Sequence, residues 1–311
     1  MPRTAAAADR LVFVAETGST NTLARERVAN GELDVTGCTA IGGAAGGAHA
    51  DGAHADDGDA CTVVAVVAAD RQTAGRGRLD HTWQSRPGES STVTYVVGVP
   101  RAVAADAAVN GWLQMIAGLA TLDGIDAALA EYGARPVGGA GRGGDDGCAG
   151  LQLKWPNDIF LDGRKLGGIL AELVPLPDDA AHVAIVFGVG LNLAVPADRL
   201  PTAQATSLHL HYGPLPDGGD LRDRIAAATV VALRRRLTAF AADPHSAAGP
   251  LRAETTARSY TLGRRAVAHF VDGSSLEGEA VALNADASIT LRDDAGVEHV
   301  VRTGDVGVLP A

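Results

Sequence analysis

The residues best equipped for chemistry in this chain fall in two stretches. The first runs from Asp70 to Trp83, D-R-Q-T-A-G-R-G-R-L-D-H-T-W, where Gly75 and Gly77 alternate with Arg76 and Arg78. Glycine lets the backbone come close to a ligand, and arginine supplies a planar, permanently charged fork. Two such forks on one loop suit a phosphate, a carboxylate, or the two held side by side. The loop lacks the G-x-x-x-x-G-K-[ST] of a P-loop and the helix-opening G-x-G-x-x-G of a dinucleotide site. Taken alone, a short Gly-Arg run is more often a solvated turn than an anion site.

The second stretch is Leu151 to Leu173, L-Q-L-K-W-P-N-D-I-F-L-D-G-R-K-L-G-G-I-L-A-E-L. Asp162-Gly163 between two apolar-rich runs is a strong hairpin signal. Ahead of it, Lys154-Trp155-Pro156-Asn157-Asp158 ends a strand with an amide and a carboxylate. Lys165 begins the return strand, and Gly167-Gly168 leave room for a ligand on the backbone. The turn accounts for Asp162 and Gly163, but not for a lysine and two glycines in an otherwise apolar strand. Two smaller clusters join these. Ser19-Thr20-Asn21 opens a helix, where one hydroxyl is enough for capping and three polar side chains could also face a small polar ligand. Gly188 and Gly190 interrupt the apolar run Val183 to Leu193 just before Asn192, a mark of close approach by a ligand or another backbone.

The elements that must position these residues follow from periodicity. Leu11–Ala15, Thr62–Ala69, Ser91–Val99 and Val183–Leu193 read as strands, the last three buried. Val103–Tyr132 has broad helical periodicity, and Leu221–Phe240 reads as an amphipathic helix. In the latter, Arg234 to Arg236 suit the C-terminal dipole and a solvated face. Asp243–Pro250 reads as a hinge. From Tyr260 the pattern changes to short strands at 265–270, 276–283, 288–292 and 297–303, a small β-barrel with no recognisable chemistry of its own. The domain division expected is 1–250 and 251–311. Gly/Ala/Asp-rich insertions at about 42–60 and 138–150 read as disordered loops, and the His49, His54, Asp51, Asp56 and Asp57 within the first are a poor metal site because ordering them is costly.

Composition bounds the function. The 311 residues are 46% hydrophobic and 20% charged, as in a folded globular protein. A formal net charge of −11 argues against general nucleic-acid binding, which needs a basic face. Three dispersed cysteines, Cys38, Cys61 and Cys148, fit reduced thiols in a cytoplasmic protein. The N-terminus lacks the apolar core of a signal peptide, and the apolar segment 103–129 carries too many polar residues for a membrane span, so a soluble chain is expected.

Together the motifs resemble the biotin–protein ligases. The matching pieces are Ser19-Thr20-Asn21, Gln72-Thr73-Ala74-Gly75-Arg76-Gly77-Arg78, Lys154 to Asp158, Arg164 to Glu172, and Gly188-Val189-Gly190-Leu191-Asn192. The resemblance implies an α+β fold, a mixed sheet with helices on its faces as in class II synthetases, followed by an SH3-like barrel. It implies ATP, Mg²⁺ and biotin, with a biotin carboxyl carrier protein as partner. Ser19, Thr20, Asn21, Gln72, Gly75, Arg76, Gly77, Lys165 and Gly168 would then bind biotin. Arg76, Arg78, Trp83, Asn157, Lys165 and Asn192 would bind ATP or the adenylate, with Lys165 and Arg78 catalytic. Asp158 is open between binding Mg²⁺ and helping to deprotonate the incoming lysine. Only ten residues precede the first strand, so a ligase without a DNA-binding domain is expected, acting at no membrane, as monomer or homodimer. The sequence departs from the family where Leu79-Asp80-His81-Thr82-Trp83 replaces a further Gly-Arg step. A lipoate–protein ligase shares the scaffold but its R-R-x-S-G-G-G type motif is missing here. A non-enzymatic biotin-sensing module is the other alternative.

Overall fold

In the computed structural model, residues 1–36, 62–78, 81–137 and 150–309 are described. The first expected insertion, the second except Gly150, all three cysteines and Leu79-Asp80 lie outside those residues.

A seven-stranded mixed sheet forms the frame. Its strands are β1 (Arg10–Thr17), β2 (Val64–Gln72), β3 (Ser90–Pro100), β4 (Leu151–Lys154), β5 (Asp158–Leu161), β6 (Arg164–Pro175) and β7 (His182–Asn192), hydrogen-bonded in the order β1-β2-β3-β7-β6-β5-β4. Only the β1–β2 pair is parallel. The unbroken apolar run of β2 has a simple cause. Val64, Val66 and Ala68 join one buried cluster, while Ala65 and Val67 join another on the opposite face. Strand side chains alternate between faces, so a strand covered on both sides has no polar position to spare.

After the short helix α1 (Pro2–Ala7), helix α2 (Thr20–Ala29) covers one face through Ala24 and Val28. Helices α4 (Gly111–Glu131) and α5 (Gly218–Ala242) cover the other. Helix α4 is long and apolar enough to cross a bilayer, yet Trp112, Ile116, Leu119, Leu122 and Ile125 along it are buried in the core. Residues 101–132 thus give a short helix α3 (Arg101–Ala105) and the long α4.

Three expectations need correction. Lys154 does end a strand, β4, but Asp158 does not share that end: residues 155–157 form a tight connection and Asp158 opens β5, which pairs antiparallel with β4 so that Lys154 lies opposite Asp158. Pro156 removes a ladder donor, which suits a turn better than a strand. The proposed hinge is α6 (Pro244–Ala257), capped at Asp243, whose carboxylate accepts from Ser246 N at 3.1 Å. The division at 250/251 therefore falls inside a helix. Of the three arginines late in α5, only Arg235 is solvated. Arg234 pairs with Asp9 at 2.7 Å, and Arg236 pairs with both Asp123 and Glu254, at 2.8 and 2.7 Å.

The C-terminal strands β8 (Arg265–His269), β9 (Ser275–Leu283), β10 (Ile289–Arg292), β11 (Glu298–Val301) and β12 (Asp305–Val308) form one antiparallel sheet in the order β11-β10-β9-β8-β12. The arrangement fits an SH3-like domain, but as an open sheet rather than the closed barrel expected, since no pairing joins β11 to β12. Strand β12 had no expected counterpart, because Asp305-Val306-Gly307-Val308 is short and broken by glycine.

Candidate active site

The β5–β6 hairpin sets the chemistry. Asp162 and Gly163 take φ of +47° and +75°, the paired left-handed conformation of a two-residue turn, which Asp and Gly tolerate. The pairing register runs Phe160 to Lys165 and then Ile159 to Gly167, so Leu166 is an extra residue in β6. Such a bulge re-aims the strand. Lys165 and Gly168, three apart, consequently both face the same cavity while Leu166 is fully buried.

Asp158 stands between two lysines. Its Oδ1 meets Lys165 Nζ at 2.7 Å, and its Oδ2 meets Lys154 Nζ at 3.0 Å. Burial acts to raise the Asp158 carboxyl, but the charges of Lys154 and Lys165 outweigh it and hold the group below the ordinary carboxylate value. A carboxylate so engaged is a weak base, with one ammonium group on each oxygen. No group of three or more His, Cys, Asp or Glu among the described residues could hold a metal ion. Asp158 anchors the two ammonium groups in this structure.

Arg78 approaches from the glycine–arginine loop, with Nη1 donating to Asn157 Oδ1 at 3.3 Å. Asn157 is itself fixed, since its Nδ2 donates to Ile169 O at 3.1 Å and its carbonyl accepts from Ile169 N at 2.8 Å. Burial lowers the Arg78 guanidinium from its ordinary value, against Asp305 and Asp158, which raise it. Arg76 goes elsewhere. Its Nη2 pairs with Glu172 at 3.2 Å and lies 3.4 Å from Thr22 Oγ1.

A buried polar cluster closes the inner end. Thr20 donates from N and Oγ1 to Gln72 Oε1, at 2.7 and 3.0 Å. Thr94 Oγ1 lies 2.8 Å from both Thr20 Oγ1 and Asn21 Oδ1. Asn21 Nδ2 donates to Glu172 Oε2 at 2.8 Å and to Leu170 O at 3.1 Å. Ser19 caps α2 through its hydroxyl, which accepts from Thr22 N at 3.4 Å. The capping reading therefore holds for Ser19, while Thr20 and Asn21 belong to the network.

These parts surround one cavity of about 1010 Å³. Every residue assigned above to biotin, the nucleotide or Mg²⁺ lines it except Gly75, whose added Cβ would run into Trp83 O, while Gly167, expected to leave room for a ligand, does not line it either. The strand glycines serve neighbours as well as ligand. A Cβ at Gly188 would strike the Asn21 amide, one at Gly190 the Trp83 indole ring, and one at Gly167 the Gly190 carbonyl. Gly168 differs, since a Cβ there would sit 3.4 Å from Asp158 Oδ1, at the open edge of the ion pair. Asn192 is buried, with Nδ2 donating to Thr206 O at 3.0 Å.

Sequence reasoning missed several of the wall residues. Lys154 stood in its motif but was given no role, and Thr94, which supports the polar network behind the wall, looked like one more β-branched residue in an apolar strand. His269 and Asp305 come from the C-terminal sheet, which lines the cavity despite having no chemistry legible in its sequence.

A mixed sheet with cations gathered over its β5–β6 hairpin, facing a buried polar pocket, is the frame of an enzyme that joins anionic groups. A family model described as the biotin/lipoate A/B protein ligase family matches residues 62–192. The chain is 32% identical over 297 residues to a biotin–[acetyl-CoA-carboxylase] ligase of Mycobacterium tuberculosis, covering 96% of this chain and 88% of that one. It is 35% identical over 138 residues to the bifunctional ligase/repressor BirA of Escherichia coli, which covers 44% of this chain and 34% of that one. The biotin protein ligase of Aquifex aeolicus, solved with biotin and ATP, shares the fold with a TM-score of 0.60 at 17% identity, over 97% of this chain and all of that one. The chain belongs to the biotin–protein ligase family.

Proposed function

We propose that this protein activates biotin with ATP and transfers it to a lysine of a carboxylase's biotin carboxyl carrier domain. In the first step a biotin carboxylate oxygen attacks the α-phosphorus, and the bond to the β-phosphate breaks to release pyrophosphate. In the second, the carrier amine attacks the acyl carbon of biotinyl-5′-AMP, AMP leaves, and the amine loses a proton. Mg²⁺ belongs to this reading as part of the nucleotide substrate, MgATP, and no residue of the chain is assigned to it.

The observation that carries the proposal is the cluster of Lys154, Lys165 and Arg78 about Asp158 at the cavity wall. Joining two anions requires excess positive charge where they meet. With Asp158 and Asp305 counted against the three cations, one positive charge remains. At about 4 Å and an effective dielectric near 20, a unit charge pair is worth about 4 kcal/mol. Lys165 is held by the Asp158 carboxylate with its side chain 40% exposed, so it can meet a ligand without reorganising. The hydrogen-bonded pocket of Thr20, Asn21 and Gln72 supports biotin over lipoate as the acid. A ureido ring exchanges hydrogen bonds with such a wall, whereas a dithiolane ring would leave its polar groups short of partners.

The test is direct. Purified protein with MgATP and biotin should release pyrophosphate and label one lysine of a carrier domain. Transfer of lipoate with none of biotin would overturn the reading in favour of the sister activity.

A further inference from the structure

Beside the cavity lies a chain of polar groups that the reaction above does not use. His211 Nδ1 is 2.9 Å from Asp162 Oδ2, and His211 Nε2 is 2.7 Å from Thr206 Oγ1. A carboxylate oxygen accepts, so Nδ1 carries the proton, and in the neutral ring Nε2 takes the Thr206 hydroxyl hydrogen. Acid, imidazole and hydroxyl in this order have the layout of an activated nucleophile. Here the hydroxyl cannot act as one. Thr206 is fully buried, and it is not among the residues that line the cavity.

What the chain of bonds holds is more telling. Lys165 N donates to Gln204 O and Thr206 N donates to Lys165 O, both at 2.8 Å. Residues 204–206 thus run as a short parallel partner to β6 at Lys165. The Thr206 carbonyl anchors Asn192, and Gln204 and Ala205 form cavity wall between the two. Asp162 sits in the turn just before Lys165, with its other oxygen accepting from Gly150 N at 2.8 Å. The bonds therefore close a ring, from Lys165 through Thr206 and His211 to Asp162 and back along the hairpin. Beside the two backbone bonds, Arg164 Nη2 donates to Ala203 O at 2.8 Å and Asn192 Nδ2 to Thr206 O at 3.0 Å, and the side-chain link from Thr206 to Asp162 adds the tie between this segment and the hairpin turn.

We propose that His211 is a positioning residue, which keeps residues 204–206 in register with Lys165 and so shapes the cavity wall between Lys165 and Asn192 for the nucleotide. The assignment of that wall to the nucleotide rests on the function proposed above. Loss of the link lets the wall shift, which weakens nucleotide binding without touching the groups that hold the acid.

The experiment compares wild type with Thr206→Val, which removes the hydroxyl at nearly constant shape, with His211→Ala, and with the double variant. The expected result in pyrophosphate release is a KM for ATP raised about tenfold, the scale of one lost hydrogen bond, with kcat and the KM for biotin little changed. The double variant should be no worse than either single one, because both break the same link. Unchanged kinetics, a lowered kcat at constant KM, or additive losses would each overturn the proposal. If His211→Ala does not fold, Thr206→Val decides alone. Calorimetry with α,β-methylene-ATP in the presence of biotin separates the two readings. A wild type that releases no pyrophosphate defeats the proposed function, whereas equal analogue affinity in wild type and variants defeats the role of His211.

Discussion

At the scale of single residues, the Asp158 pair decides most. Its carboxyl lies below the ordinary value of 3.8 in the folded protein. A group depressed in this way adds stability that is present in full above the unfolded-state value and is lost as pH falls through the folded one. Asp158→Asn should therefore be less stable than wild type at pH 7, and the difference should shrink as pH falls through the lowered folded-state value. Breaking a buried pair costs about 3–5 kcal/mol, and the partial exposure of Lys165 brings the expectation to about 2–3 kcal/mol. Urea midpoints followed from pH 7 into acid give the check, and equal midpoints at pH 7 would rule out the anchoring role. Lys165 was legible in the sequence because a charge in an apolar strand needs a reason. The partnership of Arg76 with Glu172 was not, because the two lie on different elements and neither sequence context marks the other.

Elements explain which glycines matter and where the loop closes. The hairpin at Asp162-Gly163 was readable because its turn chemistry is local, and so was the burial of β2, β3 and β7. The bulge at Leu166 was not, since one extra residue leaves the apolar pattern nearly intact and appears only when β5 is laid beside β6. Nor could the sequence say that Gly188 and Gly190 make room for Asn21 and Trp83, contacts between distant segments. The glycine–arginine loop has a tight frame, with Gly77 N donating to His81 O at 2.6 Å and His81 N donating to Arg78 O at 3.1 Å. This hairpin-like closure delivers Arg78 to Asn157. If Arg78 grips the adenylate phosphate, each charge-assisted bond it makes is worth about 1.5–3 kcal/mol, or ten- to over a hundredfold in retention. Arg78→Gly should still form biotinyl-adenylate but release it, so that lysines of a bystander such as albumin become labelled. A mass-spectrometric count of modified bystander lysines equal to wild type, in a variant still active on the carrier, would show that the loop does not retain the intermediate.

On the scale of the whole molecule, the change of sequence pattern after Tyr260 marked a second module but not how it is attached. Its buried residues Ala266, Ala268, Ala280, Ile289 and Leu291 belong to the same apolar cluster as Trp112 and Trp155. Both indoles bond into its turn at 284–287, with Trp112 Nε1 donating to Ala285 O at 2.7 Å and Trp155 Nε1 to Ala287 O at 2.8 Å. A module fixed in this way can hold His269 and Asp305 at the cavity wall. Gly111, at the start of α4, tests the docking because two effects there oppose each other. Helix propensity alone favours alanine over glycine by up to about 1 kcal/mol. An added Cβ would instead run into the Asp286 carbonyl and lie 3.2 Å from the Ala287 Cβ. Overpacking against backbone costs about 1–3 kcal/mol and should win. Gly111→Ala is thus expected to lower the thermal midpoint by a few degrees, about 2–4 °C per kcal/mol for a chain approaching this size. A raised midpoint would mean that α4 is free of the 284–287 turn in solution, and with it that the C-terminal sheet does not hold its place at the active site.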